Sequence, residues 1–210
     1  MKKHLKILFN TGAALFVLLL ILCIWLFFGI KNAYKEVYKE EKFKEIITAI
    51  KQAPPIPEDF KRTVQLVYPE IFETSLYKHD INSFFGNYET PCPSKSIAYQ
   101  FHWHPKNWTF FSGTIPFSLA WYLEGKITQE ECFSYEITNF DFMNNQKGIY
   151  NASQYYYKKD FKELSYKEQL ELIIMMKNPA YYNKRRFPKR LEQEAEILFN
   201  EIEKKLGASN

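Results

Sequence analysis

Between Thr11 and Ile30 the chain reads TGAALFVLLLILCIWLFFGI, an apolar run without a charged side chain. About 20 such residues are what a helix needs to cross a bilayer core, so the run predicts one transmembrane helix. Lys2, Lys3 and Lys6 precede it with no acidic residue among them. A cationic start before a first apolar run favours a cytoplasmic N-terminus, which places residues 31–210 on the outer side of the membrane. A cleaved signal peptide would carry a shorter apolar region ending in small residues. This run ends instead in Trp25, Phe27, Phe28, Gly29 and Ile30, which points to a retained anchor.

Beyond the anchor the pattern changes. Residues 31–52 read as a charged helix leaving the membrane, broken by Ala53-Pro54-Pro55-Ile56-Pro57, whose prolines oppose helix. Residues 58–78 mix apolar and polar positions compatible with helix. Residues 80–112, rich in Asn, Pro, Ser and aromatics, read as irregular chain or short strands. Phe117 to Glu124 is apolar enough for a buried helix. Thr128-x-x-Glu131 and Ser165-x-x-Glu168 are capping boxes, each ahead of an apolar stretch. Residues 147–157 form a further helix. In residues 188–206 Leu191, Ala195, Leu198, Ile202 and Leu206 recur with helical period. No internal repeat is present. The expectation is a mainly α fold: a cytoplasmic tip (1–10), a transmembrane helix (11–30), a juxtamembrane helix with a Pro-rich linker (31–57) and a single domain (58–210) with an irregular N-terminal half.

Charge narrows the function classes. The formal net charge is +4, but without Lys2, Lys3 and Lys6 the 28 basic residues become 25 against 24 acidic ones. A nearly neutral outer part argues against a nucleic-acid protein. Roughly 180 residues after the anchor suffice for one real core. Cys92 and Cys132 would both lie where disulfides are chemically allowed, but two cysteines make no framework, and no metal-type Cys spacing exists.

Four segments then stand in register: Lys126-Ile127-Thr128-Gln129-Glu130-Glu131, Gly148 to Lys159 (GIYNASQYYYKK), Glu163 to Gln169 (ELSYKEQ) and Lys177 to Asn183 (KNPAYYN). In order and spacing, over about residues 117–190, they resemble glycosyltransferase family 51, the peptidoglycan glycosyltransferases. The resemblance implies a lysozyme-like, mainly helical domain at the outer membrane face that polymerises lipid II glycan chains. In that chemistry a glutamate deprotonates the acceptor hydroxyl, which attacks the anomeric carbon of the lipid-linked chain. Cationic side chains, and often a divalent metal, hold the leaving diphosphate. Such a reaction requires a positioned base and prearranged positive charge.

The family motifs map unevenly onto the first half. E-D-x-x-F-x-x-H-x-G corresponds to Glu73 through Asp80, with Glu73 and Tyr77 fitting, Thr74 in place of Asp, His79 one residue early and no Gly. Glu73 is the candidate catalytic base. The second motif, G-x-T-x-x-Q-Q, falls on Ser94 to Gln100, giving Ser96, Gln100 and Lys95 as candidate substrate-binding residues, with Lys106 a further cation. The third, R-K-x-x-E-x-x-x-A, falls on Ser112 to Ala120. Ser112, Gly113 and Pro116 replace its Arg, Lys and Glu. The Asn of the fourth falls on Thr138, beside Asn139. His102 and His104, two apart, share a face in an extended segment, but no third metal ligand stands at a telling distance.

Other signals are weaker. Ser75-x-x-Lys78 mimics a penicillin-binding nucleophile motif without that domain's other elements. Asn107-Trp108-Thr109 and Asn151-Ala152-Ser153 read as sequons that matter only in a eukaryotic secretory setting. Lys184-Arg185-Arg186 with Lys189 and Arg190 is either a solvated loop or a patch near anionic head groups. Two readings follow: a membrane-anchored peptidoglycan glycosyltransferase with lipid II or a glycan strand as ligand, or a family member that has lost catalysis and serves as a binding or scaffolding partner of cell-wall synthesis proteins.

Overall fold

The computed structural model describes residues 2–37, 39–86, 90–101 and 109–207, with side chains from residue 11 onward. Ten α-helices follow one another with no strand among the described residues: α1 (Lys2–Asn32), α2 (Glu40–Lys51), α3 (Glu58–Val67), α4 (Leu76–Phe84), α5 (Pro93–Gln100), α6 (Ile115–Glu124), α7 (Gln129–Asn139), α8 (Ile149–Tyr157), α9 (Tyr166–Lys177) and α10 (Pro188–Gly207). The described chain is mainly α, as the sequence implies.

Local chemistry sets most boundaries. Thr128 and Ser165 accept the Glu131 and Glu168 amides, and each Glu reaches back to the cap, so both predicted capping boxes are formed. A third, Asp160 with Glu163, closes the turn Phe161–Glu163. α8 starts at Gly148, whose φ of 84° favours glycine, and a Cβ there would sit 2.5 Å from the Thr138 carbonyl oxygen. It ends at Lys158 in the left-handed region.

Three expectations need correcting. The described residues of 80–112 hold helices where irregular chain or short strands were expected: α4 runs to Phe84, and α5 starts with Pro93 in its first turn, where proline is tolerated. The helix expected over 58–78 stops at Val67, because Pro69 pushes Tyr68 out of helical geometry (φ −131°, ψ 81°). The charged helix of 31–52 is interrupted by the turn Ala33–Glu36 before α2 begins. In α10, Leu191, Ala195 and Ile202 are buried as the period requires, whereas Leu206 is exposed.

The apolar span Thr11–Glu36, with mean hydropathy 3.0, runs along α1 into the turn Ala33–Glu36, takes in the expected 11–30, and is the one described segment long and apolar enough to cross a membrane. Its end packs on α6. Phe27 meets Trp121 edge-on at 5.7 Å, and Ser118 Oγ donates to the Lys31 carbonyl (2.9 Å) while accepting the Tyr34 amide (3.1 Å). Gly29 leaves room for the Phe111 ring, which a Cβ would meet at 2.0 Å.

Two cores stand side by side. One gathers Phe60 and Val64 of α3, Phe133 and Ile137 of α7, Ile149 and Ala152 of α8, and the buried faces of α9 and α10. The other gathers α2, Leu76, Ile97 and Ala98 of α5, α6, and Cys132 of α7. α7 therefore serves both. A side chain that follows Cys132 by four and Phe133 by three positions must project along the seam between them. That position is Glu136.

Candidate active site

The seam opens as a cavity of about 430 Å³ lined by His79 of α4, Lys95, Ser96, Tyr99 and Gln100 of α5, and Glu136 of α7. A smaller cavity of about 130 Å³ continues past Ser96 and Glu136 to Tyr68 and Lys177. Helical spacing on α5 explains the convergence: Ser96 and Gln100 lie one turn apart, while Ile97 and Ala98 turn into the core.

The groove is electrically composed. Lys95 Nζ donates to Asp80 Oδ1 at 2.5 Å, and His79 Nδ1 stands 3.1 Å from the same oxygen. Burial alone would raise the Asp80 carboxyl, but the Lys95 and His79 contacts outweigh it and hold Asp80 below the usual range. Glu136 behaves oppositely. Desolvation pushes its carboxyl up to about 7, only partly offset by a hydrogen bond from Ser96. Tyr68, in the adjoining cavity, is pushed up to about 12 by burial. A half-buried carboxyl poised near neutrality, within a polar cleft, has the properties of a proton-transfer group.

The wall of the groove is held from behind by Glu124. Its Oε1 accepts from the Leu76 amide (2.6 Å), Ser94 Oγ (3.0 Å) and Gln129 Nε2 (2.6 Å), joining the starts of α4, α5 and α7. Where α1 meets the domain there is a second, apolar cavity of about 460 Å³, lined by Phe27, Ile30, Leu76, Tyr77, Phe117 and Trp121, with Glu124 at its wall.

The structure thus brings Lys95, Ser96 and Gln100 together. Glu73 is not among the residues lining the groove. It lies exposed on the turn between α3 and α4, within electrostatic reach of Lys61. Lys106, His102 and His104 fall outside the described residues. Among the described residues no three His, Cys, Asp or Glu side chains converge. At the third-motif positions, Ser112 is buried and accepts the Thr109 amide (2.8 Å), and Pro116 starts α6. Thr138 donates to carbonyls of its own helix.

Several tempting motifs resolve as structure. Ser75 caps α4 by accepting the Lys78 amide (3.2 Å), while Lys78 Nζ pairs with Glu70 (2.7 Å). Lys184 pairs with buried Glu171 and lies over the Tyr157 ring, and Arg190 stacks on Tyr181 at 4.0 Å. Cys92 and Cys132 are buried free thiols. No motif in the local sequence marks Glu136, which sits in the apolar run Cys132–Ile137. The signal that would have found it is that same setting, a lone carboxylate following buried positions by three and four.

The transglycosylase family profile matches residues 104–203, which takes in α6 to most of α10. Over that stretch, just under half of its length, the chain is transglycosylase-like. Over 91 residues the chain is similar to the biosynthetic peptidoglycan transglycosylases of Burkholderia thailandensis (29% identical, 43% of this chain and 34% of the relative) and Paraburkholderia phytofirmans (26% identical, 43% and 36%). That of Burkholderia pseudomallei is 29% identical over the same length. The chain spans about a third of the length of these curated relatives. Glu136 lies within the matched stretch, whereas α4 and α5 precede it. The likeness and the apolar α1 fit a membrane-anchored protein of cell-wall chemistry.

Proposed function

We propose that this protein is a membrane-anchored peptidoglycan glycosyltransferase-like protein that takes lipid II or a lipid-linked glycan strand at the outer membrane face, N-terminus inside, with residues 58–210 as the working domain. The observation that carries the reading is the groove between α5 and α7. It places Lys95, Ser96 and Gln100 beside a carboxyl, polar groups suited to sugar hydroxyls and an anionic linkage. The apolar cavity at the anchor is lined in part by Phe27 and Ile30 of α1 and suits the hydrocarbon chain of a lipid-linked sugar. No step is assigned to a metal.

A specific observation favours a second reading, a binding or scaffolding role in wall synthesis. Ser112, Gly113 and Pro116 stand where the family carries two cations and a carboxylate, and Glu73 faces solvent. Each lost transition-state donor costs about 2.7–4 kcal/mol. The experiment is to incubate the full-length protein in detergent with lipid II, with and without divalent cations, and to measure both binding and polymer. Polymer supports the first reading, binding without polymer the second, and neither overturns both. Glu73→Gln measured alongside tests the motif-based assignment of the base.

A further inference from the structure

We propose that Glu136, not a residue of the degenerate first motif, is the general base of the groove, receiving the proton of a sugar hydroxyl bound against Ser96 and Gln100. The inference rests on the glycan-binding reading above and deepens it.

The argument begins with position. Both cavities of the seam have Glu136 and Ser96 in their walls, so a ligand filling either one meets this carboxyl. It is held on α7, a helix fixed at its N-terminus by a complete capping box and packed into two cores through Cys132, Phe133 and Ile137. A base on a rigid element is preorganised, as proton transfer requires. His79, Lys95, Tyr99 and Cys92 face it from one cavity, and Tyr68 and Lys177 from the other. The α2 face packed beside α7 is apolar: Phe43, Ile46 and Ile50. Lys95, the nearest cation on α5, is already paired with Asp80, so it does not draw the Glu136 proton off strongly. Desolvation therefore dominates and leaves the carboxyl near neutrality. A base is most effective when its pKa lies near the working pH.

The step balances as follows. The acceptor hydroxyl oxygen forms a bond to the anomeric carbon of the lipid-linked donor. The bond from that carbon to the diphosphate oxygen breaks, and its electron pair leaves with the diphosphate. The hydroxyl proton passes to the Glu136 carboxylate and then to solvent.

The test uses the full-length protein in detergent with lipid II, reading binding by titration, polymer by gel, and folding by thermal melt. Glu136→Gln, nearly isosteric, is expected to melt no lower than the parent, to keep the lipid II affinity and to lose about 10²–10⁴-fold in polymerisation rate. The parent rate is expected to rise with pH through about 7 and then level. Ser96→Ala removes the hydrogen bond that holds the carboxyl down and is expected to move that midpoint upward, a readout that does not depend on Glu136→Gln folding. Polymerisation by Glu136→Gln at the parent rate overturns the assignment and leaves the glycan-binding reading standing. So does loss of polymer in Glu73→Gln with Glu136→Gln active. A parent that binds lipid II without polymerising it overturns the base role alone. A parent that does not bind overturns both.

Discussion

Glu124 accepts a 2.6 Å hydrogen bond from the Gln129 side-chain amide, and Gln129 in turn accepts the Ser94 amide at 2.9 Å. This relay runs from the end of α6 through the start of α7 to the start of α5. With the Leu76 amide also on Glu124, it sets the distance between the helices that form the groove. Glu124→Ala would strand several part-buried donors at once. Hydrogen bonds to charged groups contribute about 1.5–3 kcal/mol each and are not additive. Urea unfolding is expected to show a loss of roughly 2–4 kcal/mol, with lipid II binding weakened as α5 shifts.

Gly148 should tolerate no side chain. Its φ is 84°, and a Cβ would meet the Thr138 carbonyl oxygen at 2.5 Å. Gly148→Ala therefore combines left-handed strain with a backbone clash. A destabilisation of about 2–4 kcal/mol by thermal or urea unfolding is expected. Gly125→Ala is the control, since its Cβ would meet only the Tyr122 carbonyl at an ordinary 3.5 Å.

Lys184→Ala should cost more than a surface lysine. It leaves Glu171, 6% exposed, with Tyr157 Oη as its remaining hydrogen-bond donor at 2.8 Å. Breaking one side of a buried pair costs up to about 3–5 kcal/mol. Lys184 is itself partly exposed, so roughly half that is expected by urea unfolding. The double variant Lys184→Met with Glu171→Leu should recover much of the loss.

Stability should fall as pH rises through the window set by Glu136. The folded carboxyl, raised to about 7 from 4.5, binds its proton more tightly than the unfolded one. The folded state thus holds more protons between those values, and stability declines there with increasing pH. At about 1.4 kcal/mol per unit, the full penalty above pH 7 is at most about 3.5 kcal/mol, less with solvent screening. Glu136→Gln should abolish that part of the decline and melt higher than the parent at pH 8. Equal pH dependence in both proteins would show that Glu136 titrates normally.

Ser165→Ala removes a cap whose Oγ accepts the Glu168 amide at 3.3 Å. A loss of about 1 kcal/mol by urea unfolding is expected. The effect belongs to α9, so the groove and its ligand affinity should be untouched.

What could be read from the sequence was what neighbours along the chain decide. The apolar run of α1, the Thr128 and Ser165 caps, the α6 helix and the buried stripe of Leu191, Ala195 and Ile202 all follow from spacing within a few residues. The four segments resembling the transglycosylases lie in this locally ordered half. Pro69 and Pro93 also acted locally, but the helices they bound are short and weakly patterned, so α4 and α5 were hidden in a stretch that looked irregular. Lys95, Ser96 and Gln100 were singled out by the resemblance to the second motif, and only the packing of α5 against α7 brings them to one groove. Glu136 was not, because its meaning depends on tertiary packing. Only when α5 lies against α7, and two separate cores form on either side, does an ordinary carboxylate lose enough water to titrate near neutrality. Glu73 shows the converse: a motif position draws its chemistry from what surrounds it, and here solvent does.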